Sequence, residues 1–156
     1  MSVRNGIQFE SDLRSDGRPL NHLIGRVLDR GADVRFIRDA TRGGLAGVLA
    51  DISEQRGMSI QIEEERLPIS PTARHAAEML GLDPISVANE GIAVFVVAAD
   101  DAAAALAALR GLPEGRDAAV IGRVTDSRPP LVELNTRAGG QRIIQRPYGE
   151  ELPRIC

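Results

Sequence analysis

An uninterrupted apolar run, Ile92-Ala93-Val94-Phe95-Val96-Val97-Ala98, lies in the second half of this 156-residue chain. β-branched and aromatic residues favour strands, and a strand that lacks polar positions is typical of one covered on both of its faces. A chain of this length can bury a core large enough to cover such a strand. The run therefore predicts the central strand of a sheet inside one globular domain.

Helical and strand patterns follow one another around this run. Helices cross between strands at first and strands dominate the end, which predicts an α+β fold with helices layered on a mixed β-sheet. We expect this domain to span residues 1–147, since no linker divides it. Apolar periodicity and turn residues predict helices at 19–28, 43–55, 71–80 and 101–109, a helical turn from Asp83, and strands at 7–9, 33–38, 59–63, 118–124, 131–135 and 141–145.

Composition excludes several classes of protein. The net charge of −3 indicates no surface for nucleic acid, and no stretch approaches the ~18 apolar residues of a membrane span. All 19 basic residues are arginine, which excludes lysine-based catalysis within this chain. A single cysteine argues against a disulfide-stapled secreted fold, so we expect a cytoplasmic protein. His22 and His75 are isolated from each other, and the sequence therefore predicts no metal site.

The single cysteine is the last residue, Cys156. Chain ends are usually accessible, and the thiolate is the reactive form of cysteine. A thiol on a terminal segment could enter a pocket, accept a chemical group there and present it elsewhere. An incidental end residue is the other interpretation, and the position alone leaves both open.

The loop Asp39-Ala40-Thr41-Arg42-Gly43-Gly44-Leu45 joins a predicted strand to a predicted helix. Paired glycines let the backbone approach a ligand closely, and a helix N-terminus offers unpaired N–H groups to an anion. The spacing matches neither a P-loop nor a dinucleotide fingerprint. A structural interpretation stays open, in which Thr41 is the N-cap of the helix and the glycines form a tight turn.

A second loop, Asn89-Glu90-Gly91, directly precedes the apolar strand. A carboxylate at the edge of a sheet can be partly desolvated, which would raise the pKa of Glu90 and suit it to general-base catalysis. The alternative is a plain turn with a solvated glutamate.

Five segments together resemble the hydrogenase expression/formation protein HypE family. The resemblance covers the whole chain in the same order, and its loops are shared with a wider superfamily of aminoimidazole ribonucleotide synthetase, selenophosphate synthetase and thiamine monophosphate kinase. The terminal segment is what makes it specific to HypE. The segments are Met1-Ser2-Val3-Arg4, Arg38-Asp39-Ala40-Thr41-Arg42-Gly43-Gly44-Leu45, Leu82-Asp83-Pro84, Ala88-Asn89-Glu90-Gly91 and Pro153-Arg154-Ile155-Cys156.

The resemblance implies a role in making the cyanide ligands of nickel-iron hydrogenase. In the family, HypF transfers a carbamoyl group to the C-terminal cysteine, here Cys156. The enzyme, an ATP-dependent carbamoyl dehydratase, then converts this group to a thiocyanate, and iron held by a HypC and HypD complex accepts the cyanide. The same resemblance implies that Glu90 removes protons from the amide and that Asn89 orients it. It also implies that Thr41, Arg42, Gly43 and Gly44 line the cleft where the C-terminal tail and the nucleotide meet.

The family pattern also implies what this chain lacks. ATP and Mg2+ ligands, an assisting lysine and most of the homodimer contacts belong to an N-terminal domain that we expect to be absent here. We therefore expect a fragment that binds no cofactor and is inactive alone, with residues 148–156 as a mobile tail carrying the acceptor cysteine. Two alternatives remain: a non-catalytic carrier or docking module, and the substrate half of another synthetase of the superfamily.

Overall fold

The structure is a computed structural model that describes residues 15–147 of the chain. The strand predicted at Ile7 to Phe9 and the terminal Cys156 lie outside the described residues. Between residues 15 and 147, no helix has the length and apolar character needed to cross a membrane.

The predicted helices and strands of the described region are present. Strand β4 begins four residues later than the predicted 118, because Ala118 donates its N–H to Gly115 O in a preceding turn. Over residues 15–147 the helices are α1 (Asn21–Leu28), α2 (Gly44–Arg56), α3 (Pro71–Met79) and α4 (Ala102–Arg110), and the strands are β1 (Val34–Asp39), β2 (Ser59–Glu63), β3 (Ala93–Val97), β4 (Gly122–Thr125), β5 (Val132–Asn135) and β6 (Gln141–Ile144).

Four strands form the larger sheet, in the order β4-β2-β5-β6. Strands β2 and β5 are parallel, and the two outer pairs are antiparallel, so the predicted mixed sheet of an α+β fold is confirmed. Alternation along β2 and β5 places their apolar side chains in the core, where each buried aliphatic side chain contributes about 1.5–3 kcal/mol. The core formed with α2 includes Ile60, Ile62, Val132, Leu134, Val48, Leu49 and Ile52.

The apolar strand β3 is not part of this sheet. Among the described residues it pairs only with β1, antiparallel, in a separate two-stranded sheet. Val94 is buried, whereas Phe95 and the other residues of β3 are half-buried. The prediction of a central strand covered on both faces is therefore wrong for the described region. The two inner strands of the larger sheet are β2 and β5, and Gln61 of β2 donates a hydrogen bond to Glu133 of β5.

Candidate functional site

The two loops singled out in the sequence lie side by side. Strands β1 and β3 run antiparallel, with Asp39 opposite Ala93, so the end of β1 meets the beginning of β3. Beyond the strands, Ala40 N donates to Ile92 O at 3.1 Å and Asn89 N donates to Ala40 O at 2.9 Å. These backbone hydrogen bonds extend the two-stranded ladder into the loops, and they fix the Asn89 turn against the loop that leads into α2.

Gly44 allows one part of the chain to approach another. Its φ is +59°, and a Cβ built at this position would lie 2.4 Å from Val87 O and 2.6 Å from Ile85 O. Any side chain would therefore collide with the backbone of residues 85–87. The sequence left open whether this glycine admits a ligand or forms a tight turn, and the structure fills the space beside it with the 3-10 turn Pro84–Ser86 and the residue after it.

The N-terminus of α2 has no side-chain cap. Gly43 is the N-cap residue, with φ +72° and no side-chain hydrogen bond. The prediction that Thr41 caps the helix is wrong, because Thr41 Oγ1 instead donates to Asp39 Oδ1 at 3.2 Å. Of the loop residues assigned to the cleft, Gly44 is buried, Thr41 and Gly43 are half-buried and Arg42 is exposed.

The Asn89-Glu90-Gly91 turn presents its residues differently. Asn89 is half-buried, and its Nδ2 donates to Val87 O at 2.7 Å, which fixes the carboxamide group. Glu90 is exposed, so of the two interpretations left open for this residue the described chain fits the turn with a solvated glutamate. Gly91 is buried, and a Cβ built on it would lie 1.7 Å from Asp16 O.

Asp16 holds this turn from a distant part of the sequence. Its Oδ2 accepts hydrogen bonds from Glu90 N at 3.0 Å and from Gly91 N at 3.4 Å. The carboxylate therefore fixes the peptide groups on both sides of the Glu90 Cα. Sequence reasoning missed this residue. Asp16 before Gly17 signals a turn, but nothing in the sequence shows that its partner is 74 positions away.

The last described residues approach the same loop. A Cβ built at Gly43 would lie 3.6 Å from Pro147 Cγ, so the proline ring packs where Gly43 has no side chain. The preceding residue, Arg146, forms ion pairs with Asp51 and Glu54 of α2. The C-terminal segment thus runs along α2 toward its N-terminus, and residue 147 lies beside the Gly43-Gly44 loop.

Asp51 is the centre of this ion-pair cluster, which comprises Arg38, Asp51, Glu54 and Arg146. It is only 8% exposed, and Arg38 Nη1 donates to its Oδ2. Arg146 contacts the other oxygen, Oδ1, as an ion pair without hydrogen-bond geometry. The hydrogen bond that Arg146 donates to Glu54 at 2.7 Å, followed by the charge of Asp51, raises the pKa of the Arg146 guanidinium above its ordinary value.

The histidines stand apart from these loops. His22 is exposed, and His75 lies 4.0 Å from Glu78 on the surface of α3. Over residues 15–147, no three His, Cys, Asp or Glu side chains are grouped closely enough to hold a metal ion. Two shallow depressions, of about 390 Å³ and 550 Å³, are lined by other parts of the surface and not by the two loops.

Comparison with known proteins identifies the family. Residues 1–133 match the model of the family described as AIR synthase related protein, C-terminal domain. The chain belongs to this family. The match agrees with the α+β architecture and with the resemblance drawn from the loops.

Individual relatives point to one branch of the family. The chain is 44% identical over 156 residues to the carbamoyl dehydratase HypE of Cupriavidus necator, an alignment that covers all of this chain and 44% of that protein. The resemblance to HypE is confirmed over the whole chain. The chain nevertheless spans less than half the length of this relative.

Solved structures of HypE proteins share the fold. A crystal structure of hydrogenase maturation protein HypE in complex with ATP has a TM-score of 0.91 and 37% identity, covering 99% of this chain and 48% of that one. A crystal structure of a HypE-HypF complex has a TM-score of 0.87 and 42% identity, covering 94% of this chain and 47% of that one. The first of these HypE proteins binds ATP, and the second binds HypF.

Proposed function

We propose that this chain serves nickel-iron hydrogenase maturation as the thiol-bearing part of a carbamoyl dehydratase of the HypE type. Cys156 would accept a carbamoyl group from HypF, and the complete enzyme would dehydrate it to a thiocyanate for delivery of cyanide to iron held by HypC and HypD. The observation that carries the proposal is the position of Pro147 beside Gly43, in the loop that is hydrogen-bonded to the Asn89 turn.

Chain length allows the thiol to reach this turn. Cys156 lies nine positions after Pro147, and a fully extended segment of that length spans roughly 30 Å. Asn89 is hydrogen-bonded to Ala40, three residues before Gly43, so Glu90 lies within roughly 20 Å of the point where residue 147 packs. The tether is therefore long enough for Cys156 to contact Glu90.

The chemistry needs a base and an activated oxygen. The Cys156 thiol loses its proton, and its sulfur forms a bond to the carbamoyl carbon as the bond between that carbon and the group that carries it on HypF breaks. ATP supplies the phosphoryl group that turns the carbamoyl oxygen into a leaving group, with ADP and then phosphate as products. Loss of both N–H protons of the amide leaves a C≡N group on sulfur. We assign the removal of a proton from nitrogen to Glu90 and the orientation of the amide to Asn89.

The residues for ATP are only partly present among the described residues. Thr41 and Arg42 remain accessible at the edge of the loop, whereas the space beside Gly44 is filled by residues 85–87. These two residues would contact the nucleotide from one side and do not enclose it. We propose that the ATP and Mg2+ ligands, and the homodimer contacts, come from the part of HypE proteins that this chain does not span.

A carrier function is the second candidate, and the exposure of Glu90 favours it for this chain alone. A general base surrounded by water gains none of the desolvation that suits a carboxylate to proton removal near neutral pH. In this form the chain would accept the carbamoyl group and dock with partners without converting it. The third candidate, the substrate half of another synthetase, would make no use of Cys156.

Intact-mass measurement separates these candidates. The chain is incubated with HypF, carbamoyl phosphate and ATP, beside a Cys156→Ala variant and beside the HypE of Cupriavidus necator as a positive control. Capture of a carbamoyl group in place of the thiol proton adds about 43 Da, and dehydration to the thiocyanate leaves a gain of about 25 Da. We expect a gain of about 43 Da on the parent chain and no gain on the Cys156→Ala variant.

Each other outcome has one meaning. A gain of about 25 Da on the chain alone would show that it dehydrates the group without further help. If the smaller gain appears only after the N-terminal part of the Cupriavidus necator HypE is added separately, this chain completes an enzyme. No gain on the chain while the control is modified would refute its role as a sufficient acceptor, and equal modification of Cys156→Ala would refute the assigned thiol.

A further inference from the structure

We infer that Arg146 is a positioning residue, which fixes the point where the C-terminal segment leaves the body of the domain. It does so through its ion pairs with Asp51 and Glu54 of α2. The inference rests on the proposed function, because it assigns to this ion-pair cluster the task of keeping the segment that carries Cys156 next to the Gly43-Gly44 loop.

The partners of Arg146 lie on a part of α2 that has little freedom to move. Residues 46–53 of the helix are all buried, and Asp51 is held from the other side by Arg38 of β1. A buried carboxylate with one strong partner has little freedom to move, so its second oxygen presents a charge at a defined place. Glu54 lies one turn further along the same helix and is exposed, and it accepts a hydrogen bond from the same guanidinium group.

The chain direction after this anchor is restricted by Pro147. A proline favours an extended backbone in the residue before it and has its own φ fixed near −65°. Gly43 supplies the surface on which the ring rests, and a Cβ at that position would lie 3.3 Å from the Gly47 Cα and 3.6 Å from Pro147 Cγ. Arg146 thus fixes the segment along α2, and Pro147 directs it across the N-terminus of the helix.

The effect of the cluster should be local. The Arg146 side chain is 45% exposed, and ion pairs of this kind add little to global stability. Removing it would leave the Arg38–Asp51 pair and the buried helix in place. The last described residues would lose their charged contact with α2, and the segment that follows would spread over a larger volume.

The chain offers a matched control on strand β6. Arg142 has a side chain 46% exposed and forms a 2.6 Å ion pair with Asp83, so its surroundings resemble those of Arg146. It lies four residues earlier in the same part of the chain. An Arg142→Gln change removes the same charge and the same type of contact, but it leaves the attachment of residue 146 to α2 unchanged.

The test uses the only cysteine of the full chain as a labelling site. A nitroxide attached to Cys156 broadens the amide NMR signals of nearby residues. In the parent we expect strong broadening at Gly43, Gly44 and Gly91. We expect Arg146→Gln to reduce it about two-fold or more, since the charged contact that confines the segment is lost. Arg142→Gln should leave it unchanged, and Arg146→Lys should restore part of it.

Unchanged broadening in Arg146→Gln, or an equal loss in Arg142→Gln, would overturn the inference. The same spectra report whether each variant is folded. If Arg146→Gln does not fold, Glu54→Gln is measured in its place, and it must show a smaller decrease in broadening. Carbamoyl loading by HypF is measured separately. If HypF loads the parent chain but Arg146→Gln leaves the broadening unchanged, only the role of Arg146 is refuted. If Arg146→Gln changes the broadening but HypF does not load the chain, only the proposed function is refuted.

Discussion

The two sheets of this domain show that hydrophobicity and burial are separate properties. Strand β5 of the four-stranded sheet alternates apolar and polar residues, yet its Val132 and Leu134 are 1% and 2% exposed. Strand β3 of the two-stranded sheet has no polar residue, yet four of its five positions are only half-buried. The candidate site lies at the end of the less buried sheet, where glycines and backbone hydrogen bonds determine the geometry. Packing therefore stabilises one region, and backbone contacts shape the other.

The largest test of this difference compares one core residue from each sheet. We expect Leu134→Ala to lower the free energy of unfolding by roughly 2–5 kcal/mol, because it leaves a cavity in the main core. Phe95→Ala removes a larger side chain, but its position is half-buried, and we expect about 1–2 kcal/mol. Urea unfolding of both variants shows which substitution lowers the free energy of unfolding more. A greater cost for Phe95→Ala would show that the smaller sheet is the better packed one.

Gly44→Ala tests whether backbone contact shapes the site. The new Cβ would meet Val87 O and Ile85 O, and we expect a loss of roughly 3 kcal/mol in unfolding free energy. Gly81→Ala is the matched control, because Gly81 also has a positive φ, +66°, but no atom within 4 Å of its Cβ position. Gly81→Ala should lower the free energy of unfolding by about 1–2 kcal/mol, because it adds only the cost of a positive φ and no steric collision. Equal costs would mean that residues 85–87 move aside freely.

A pH titration examines Glu64, in the turn that directly follows strand β2 of the larger sheet. The hydrogen bond from Arg137 N, with further help from Arg74, lowers the pKa of Glu64 below its ordinary value of about 4.5. The folded chain therefore binds fewer protons than the unfolded one, and this contribution to stability is complete above pH 4.5 and disappears as the pH falls through the folded pKa.

Glu64→Gln should therefore be less stable than the parent at pH 7, by about 1 kcal/mol for a net charge-assisted hydrogen bond. The difference should shrink below pH 4.5. Chemical unfolding at several pH values gives the comparison, and Glu65→Gln, at an exposed neighbouring position, is the control. A difference that stays constant down to pH 3 would contradict the assignment.

Asp16 accepts backbone hydrogen bonds beside the smaller sheet, as Glu64 does beside the larger one. Its removal should have the smallest effect on stability. Asp16→Ala removes the acceptor for Glu90 N and Gly91 N, so we expect these amides to exchange with deuterium about ten-fold faster. Ser15→Ala removes only the local contact to Gly17 N and should leave them unchanged. Equal exchange rates in parent and Asp16→Ala would show that the turn does not depend on this carboxylate.

Much of the fold follows from local patterns. The helix from Pro71, the strand from Ser59 and the strand from Gln141 begin where apolar spacing and turn residues predict. Strand partners do not follow, because pairing depends on residues far apart in sequence. Strand β2 pairs in parallel with β5, 72 positions later, and β3 lies outside this sheet. An apolar run indicates a strand, but it does not indicate how many neighbours that strand acquires.

The site was partly predictable for the same reason. Both loops were recognisable from their glycines and carboxylates, but three properties needed the folded chain: the contact of Gly44 with residues 85–87, the exposure of Glu90 and the hydrogen bonds of Asp16. Only a weak indication of Asp51 is present in the sequence, where a charged residue directly precedes the buried Ile52 of α2. Its partner Arg146 lies 95 positions later, which no local pattern reveals.

The position of Pro147 has a consequence that can be expressed as a concentration. A thiol tethered nine residues away stays within about 30 Å of the Gly43 loop, whatever path the intervening residues take. One group confined to a sphere of that radius has an effective concentration on the order of 10 mM. A group carried on Cys156 would meet the loop again and again without a diffusional search, so a weak contact between the two would be sufficient for repeated encounters.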